Sequence, residues 1–160
     1  MSVDPLPASS PALSPAPSSA LSPLGYDTNA VQAWVAQNVP SLQLPLTWTR
    51  LEGGHSNLTY LIEDSGGQRA VIRRPPMGEL LPKAHDMARE WALISALGGT
   101  AVPVPQALGF CADSAVTGAL FYVMGHVDGH PLYSVDDAKR WLPEHLRQRL
   151  SHSFIDVLAA

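Results

Sequence analysis

The sequence predicts an α+β fold: antiparallel strands, one long helix packed with them, then a linker and further helices. Three observations carry this. Leu46–Glu52, Leu58–Glu63 and Gln68–Arg73 are short apolar-rich runs separated by turn residues, the pattern of strands joined by tight connections. His85–Leu97 places Met87, Trp91, Ile94 and Leu97 at helical spacing and is stopped by Gly98-Gly99, as a helix C-terminus often is. Leu120–Met124 is a strongly apolar run that enters a glycine-bounded linker, Gly125–Gly129.

The elements follow in order. Residues 1–24 are almost wholly Ser, Pro and Ala, with six prolines, and lack the apolar side chains needed to offset ordering entropy, so we expect a disordered leader. Asp27 or Thr28 can cap a helix running to about Asn38, with Ala30, Val31, Trp34 and Val35 on one face turned to a core. The first two strands flank Gly53-Gly54-His55-Ser56-Asn57, and Asp64-Ser65-Gly66-Gly67 is a hairpin turn. Arg74-Pro75-Pro76 ends the third strand, because proline cannot donate to the ladder. In the His85–Leu97 helix, Ala88 and Ala92 should pack beside the apolar stripe. Val102-Pro103-Val104-Pro105 is extended, and Ala107–Cys111 reads as a fourth strand. After the linker come a short helix, Val135–Leu142, and a second one begun by Pro143, with Leu146, Leu150, Phe154, Val157 and Leu158 along one side. That stripe is still running at Ala160, so we expect a chain cut within a domain, with the stripe exposed as an apolar patch. Trp48, Trp91 and Trp141 are expected as core anchors.

Composition narrows the function. The hydrophobic fraction of 46% supports a packed core. One cysteine, Cys111, excludes a disulfide framework and a cysteine-based zinc site. The net charge is −4 and no Lys or Arg precedes Arg50, which argues against a nucleic-acid arm, a signal peptide and an arginine-rich transit peptide. No apolar run is long enough to span a membrane. We therefore expect a cytoplasmic protein that binds neither nucleic acid nor membrane. His126 and His130 flank Gly129 and precede Pro131 with no third ligand nearby, a poor set for a metal.

The constellation with chemical content is the glycine turn together with the strands on either side of it. Glycines allow backbone N–H groups to converge on an anion; Ser56 and Asn57 add side-chain donors, and Arg73 ends a neighbouring strand. By itself Gly-Gly is also ordinary turn punctuation. Glu90 is a surface glutamate unless Arg73 partners it. Arg73, Arg74, Lys83 and Arg89 together suggest a small basic cluster suited to phosphate.

Taken in order, Gly53-Gly54-His55-Ser56-Asn57-Leu58-Thr59-Tyr60, Ala70-Val71-Ile72-Arg73-Arg74-Pro75-Pro76, Ala88-Arg89-Glu90-Trp91, Val102-Pro103-Val104-Pro105 and Phe121-Tyr122-Val123-Met124 with Asp128-Gly129 resemble the aminoglycoside phosphotransferase and choline kinase family. Within it they are most similar to the phosphotransferase-like proteins associated with acyl-CoA dehydrogenases. The resemblance covers roughly residues 31–160. It implies a protein-kinase-like N-lobe, a five-stranded antiparallel sheet plus one helix, over residues 25–124 with the preceding helix. Residues 125–134 would be a hinge linker and 135–160 the start of a truncated helical C-lobe. It implies ATP as cofactor: Gly53, Gly54, His55, Ser56 and Asn57 over the phosphates, Arg73 in place of the usual phosphate-holding lysine, Glu90 as its partner, Met124 beside the adenine, and the backbone of Gly125 to Val127 bonding to it. The family's catalytic His-Gly-Asp loop, with Asn five residues beyond the Asp, does not occur in the 160 residues. Nor does its metal-binding aspartate, so Mg²⁺ and catalysis are expected only with the missing lobe. The reading is the nucleotide-binding part of an enzyme that phosphorylates a small-molecule hydroxyl. Its rivals are an inactive kinase-like nucleotide-binding or interaction module, and a scaffold for an acyl-CoA dehydrogenase.

Overall fold

The computed structural model describes residues 23–51, 57–78 and 85–159. The leader up to residue 22, the Gly53–Ser56 turn and Lys83 therefore lie outside the described residues. Five strands form one fully antiparallel sheet: β1 (Thr47–Arg50), β2 (Leu58–Glu63), β3 (Arg69–Arg74), β4 (Ala107–Cys111) and β5 (Phe121–Gly125), in the order β1-β2-β3-β5-β4. Four helices join them: α1 (Thr28–Asn38), α2 (Met87–Leu97), α3 (Val135–Trp141) and α4 (Glu144–Leu158).

Period-2 alternation divides the sheet into two faces. Leu58, Tyr60 and Ile62 of β2, Ala70, Ile72 and Arg74 of β3, Phe121 and Val123 of β5 and Cys111 of β4 point to one side and are buried. α1 covers this side with Val31 and Val35, joined by Val39, Leu42 and Leu46 from the segment after it. Asp27 caps α1 by accepting from the N–H groups of Asn29 and Ala30, the usual remedy for free N-terminal donors. Tyr26, just before the cap, is 4% exposed, packs edge-on against Tyr60 and donates to the Leu58 carbonyl at 3.2 Å. Gly109 meets this core where a larger residue would not fit: a Cβ there would stand 2.9 Å from the Trp34 ring and from Val39. Cys111 is also a core residue, its thiol pushed up by burial.

The other face carries Thr59, Arg73, Tyr122 and Phe110 in one row across β2, β3, β5 and β4, and α2 packs on it. Asp86 caps α2 by accepting from the Arg89 N–H, Met87 is buried, and Trp91 stacks on Phe110 with ring centroids 5.9 Å apart.

Several boundaries and placements differ from expectation. α2 begins at Met87 rather than His85, because His85 has φ 59 and cannot continue a right-handed helix. Ala88 and Ala92 are exposed; the helix meets the sheet through Glu90 and Trp91. Arg74 is the last paired residue of β3, opposite Leu58, and leaves the basic cluster altogether. It points to the opposite face from Arg73, where it is 3% exposed. Its guanidinium donates to the carbonyls of Gly25, Thr117 (2.6 Å) and Pro75 (3.2 Å). Trp141 is no core anchor: it is 43% exposed and stacks on His130 at 3.7 Å. α3 and α4 have no buried residue, and Leu150, Phe154 and Leu158 of the α4 stripe are exposed. Trp48 and Trp91 do pack, against the main core and against Phe110 respectively.

Candidate functional site

The site grows from the polar centre of the α2 face. Strand pairing sets Arg73 directly opposite Thr59 on one side and Tyr122 on the other, so the three side chains share a face. Glu90, one turn into α2, reaches down to this row. Its Oε2 accepts from Arg73 Nε at 3.0 Å and from the Tyr122 hydroxyl at 2.9 Å. The ion pair is about two-thirds buried on both sides, so it is screened less than a surface pair.

Asn57 closes the group from the start of β2. Its amide lies 2.6 Å from His85 Nδ1. The end nearer Arg73 must be the oxygen, because a guanidinium can only donate. So oriented, the oxygen accepts from Arg73 Nη2 at 2.7 Å and Nε at 3.1 Å, and the nitrogen donates to His85. The reverse orientation gains a 3.3 Å bond to Glu90 but sets N–H groups against N–H groups. Burial, and then the bond to Glu90, push the Tyr122 phenol well above its ordinary range, so it stays protonated and remains a donor.

Of the expected site residues, Asn57, Arg73 and Glu90 are thus brought into one network. Gly53, Gly54, His55 and Ser56 lie outside the described residues. Met124 pairs with Val71, two residues from Arg73 along β3, and so shares its face, farther along the sheet. Gly125 belongs to β5 rather than to the linker. Its N–H donates to the Gln106 carbonyl at 2.8 Å and that of His126 to the Arg69 carbonyl at 3.4 Å. Val127, past the sheet, is 64% exposed. Arg69 and Asp128 form an exposed ion pair at 2.7 Å that ties the linker to β3. Two members of the network were missed. Tyr122 was hidden inside an apolar strand run, where only its register with Arg73 gives it meaning. His85 was absorbed into the helix. A groove of about 690 Å³ between the end of α2 and the Val102–Pro105 segment is lined by Trp91, Ser95, Thr100 and Gln106 among others and includes none of Asn57, Arg73, His85, Glu90 and Tyr122.

Chemically the network is a guanidinium held in an ion pair. Glu90 neutralises one edge of Arg73, while Nη1 has no partner among the described residues, which suits a guanidinium for an anionic oxygen. Among the described residues no three His, Cys, Asp or Glu side chains are grouped to hold a metal, and no helix is long and apolar enough to cross a membrane.

Comparison with known proteins bears on the family and the fold. Acyl-CoA dehydrogenase family member 11 is 37% identical in rat and 36% in human over 108 residues, 65% of this chain. Mouse acyl-CoA dehydrogenase family member 10 is 40% identical over 85 residues, 53% of this chain. The chain spans 14% of the length of the member 11 proteins and 8% of member 10. A crystallised aminoglycoside phosphotransferase homologue from Ralstonia eutropha superposes with a TM-score of 0.57 at 34% identity, covering 68% of this chain and 30% of that one. Its likeness, with the five-stranded antiparallel sheet, makes the fold a kinase-like N-lobe. Residues 47–160 match the sequence profile of the phosphotransferase enzyme family, and the chain belongs to that family.

Proposed function

We propose that this chain is the nucleotide-clamping part of an ATP-dependent phosphotransferase that phosphorylates a small-molecule hydroxyl. The observation that carries the reading is the Arg73–Glu90 pair at 3.0 Å, held at the centre of a sheet whose family transfers phosphoryl groups. Arg73 Nη1 would take a phosphate oxygen. Gly53, Gly54, His55, Ser56 and Asn57 would close over the phosphates, and Met124 would border the base. Of the linker backbone, the Val127 N–H has no partner among the described residues and would bond to the adenine. Residues 125–134 would act as the hinge and 135–160 would open a second lobe. Glu90 is engaged by Arg73 and Tyr122, so Mg²⁺ would need carboxylates from elsewhere. The His-Gly-Asp loop that would orient the hydroxyl is likewise not in the sequence. This chain would therefore bind nucleotide and depend on further residues for transfer.

The test is calorimetric titration of the 160-residue protein with ATP and Mg²⁺. Binding that weakens in Arg73→Ala and Glu90→Gln supports the reading; no binding, or binding indifferent to Arg73, sinks it. A second reading draws on the names of the similar proteins. Here the domain serves an acyl-CoA dehydrogenase partner, as chemistry or as scaffold. It predicts copurification with a dehydrogenase whether or not nucleotide is present.

A further inference from the structure

We infer that Tyr122 is a positioning residue: through Glu90 it holds the Arg73 guanidinium with its Nε edge turned inward and its Nη1 turned to the ligand. The ligand half of this rests on the nucleotide reading above; the positioning half stands on geometry alone. A glutamate reaching from a helix to a strand is held loosely by one partner, because its terminal torsion is broad. Here a single oxygen, Oε2, takes both the Arg73 Nε–H at 3.0 Å and the Tyr122 O–H at 2.9 Å. The two donors come from β3 and β5, at residues directly opposite in the sheet, so their separation is set by the ladder. The carboxylate is thereby fixed to the sheet rather than to its own helix.

Tyr122 is suited to that task. It is 4% exposed, and its ring lies against Trp91, itself stacked on Phe110. The phenol therefore has little freedom to leave Glu90. Asn57 completes the inner edge of Arg73 by accepting from Nη2 and Nε. What remains without a partner among the described residues is the terminal edge of the guanidinium, both N–H groups of Nη1 and the second N–H of Nη2. That terminal edge is a planar fork of two nitrogens, the geometry with which an arginine, unlike a lysine, grips a phosphate.

Tyr122→Phe keeps the ring and removes one oxygen. The Arg73 Nε–H is followed by ¹H–¹⁵N NMR in the nucleotide-free protein. The expected result is exchange with water faster by about fivefold, the factor one net hydrogen bond is worth. Retained fold with unchanged exchange overturns the proposal. Glu90→Gln leaves the phenol in place and breaks the same chain from its other side; should Tyr122→Phe fail to fold, unchanged Arg73 exchange in Glu90→Gln overturns it equally. ATP titration gives the second arm: Tyr122→Phe should weaken binding about fivefold in the parent and have no effect in Arg73→Ala. An equal loss in both backgrounds means that Tyr122 acts elsewhere. If the parent binds no ATP, the nucleotide reading and the ligand half fall, and the exchange measurement still decides the positioning half.

Discussion

Arg73 and Arg74 are neighbours in sequence and should behave as different residues. Arg74 is 3% exposed, without a carboxylate partner among the described residues, over the Tyr26 ring at 5.8 Å and bonded to the Gly25, Thr117 and Pro75 carbonyls. Arg74→Met keeps most of the volume and removes every donor. The buried bond to the Pro75 carbonyl and the part-buried ones to Gly25 and Thr117 are then lost, at about 1–3 kcal/mol for each carbonyl left without a partner. Relief of the buried charge, whose desolvation already lowers the guanidinium pKa, offsets part of this. The net expectation is a loss of about 2–4 kcal/mol, a fall in Tm of roughly 10 °C for a domain of this size. Arg73→Ala removes an ion pair that is about two-thirds buried on both sides, worth on the order of 1 kcal/mol to stability. It also removes a charged donor to phosphate, worth about 1.5–3 kcal/mol, or roughly tenfold to a hundredfold in ATP affinity. Urea unfolding and ATP titration on both variants separate the two roles. The reasoning fails if Arg74→Met costs less than about 1 kcal/mol, or if it weakens ATP binding to the folded protein as much as Arg73→Ala does.

Three further outcomes rest on the same contacts. Gly109→Ala forces a methyl to within 2.9 Å of the Trp34 ring and Val39. It should cost about 1–3 kcal/mol, read by denaturant titration, whereas Gly99→Ala, with no atom within 4 Å but φ +85, should cost through backbone strain alone. Asp64 accepts from the Gln43, Gly66 and Gln68 N–H groups, and these bonds, that from Gln43 foremost, hold its carboxyl below the usual range. Its stabilisation is full above the unfolded pKa of about 3.9 and is lost as pH falls through the lower folded value. Asp64→Asn should therefore flatten the acid limb of the stability–pH profile, and an unchanged limb counts against these bonds. Trp91→Ala unstacks Phe110 and frees Tyr122 and the Glu90 turn of α2; the aromatic pair itself is worth about 0.5–1.5 kcal/mol, and ATP affinity should fall with it.

Much of this was legible because the signals are local. The cap at Asp27, the Asp64–Gly67 hairpin and the stripe through Met87, Trp91, Ile94 and Leu97 each depend on residues a few positions apart. Asn57, Arg73 and Glu90 were legible through their order along the chain, since nothing in their spacing brings residues 16 and 17 apart into contact. What failed was non-local or depended on face. Arg74 was grouped with Arg73 by adjacency, although adjacent residues of a strand point apart. β5 inserts between β3 and β4, and until that is known Tyr122 is one more apolar-run aromatic. Tyr26 lies at the end of a Pro/Ser/Ala-rich stretch whose composition says nothing of a core. Gly125 looks the same as the last residue of a strand or the first of a linker, and only its pairing with Ala70 of β3 decides.

The sheet separates stability from chemistry by that same alternation. Among the described residues the α1 face is almost wholly apolar, and the buried charged side chains, Arg74 and Asp64, are bonded to backbone. The α2 face is thinner: among the residues of α2 only Met87 is buried, and the helix is registered on the sheet by Trp91 and by Glu90. A helix held so lightly would place Glu90 poorly if the carboxylate depended on the helix alone. Two donors from adjacent strands remove that dependence, because β3 and β5 are locked together by the ladder from Ala70–Gly125 to Arg73–Tyr122. Motion of α2 is then resisted at the point where it would disturb the cation, while the rest of the helix can yield. The buried face stabilises the sheet, the sheet sets the spacing of Arg73 and Tyr122, and that spacing, more than the packing of α2, fixes where the positive charge stands.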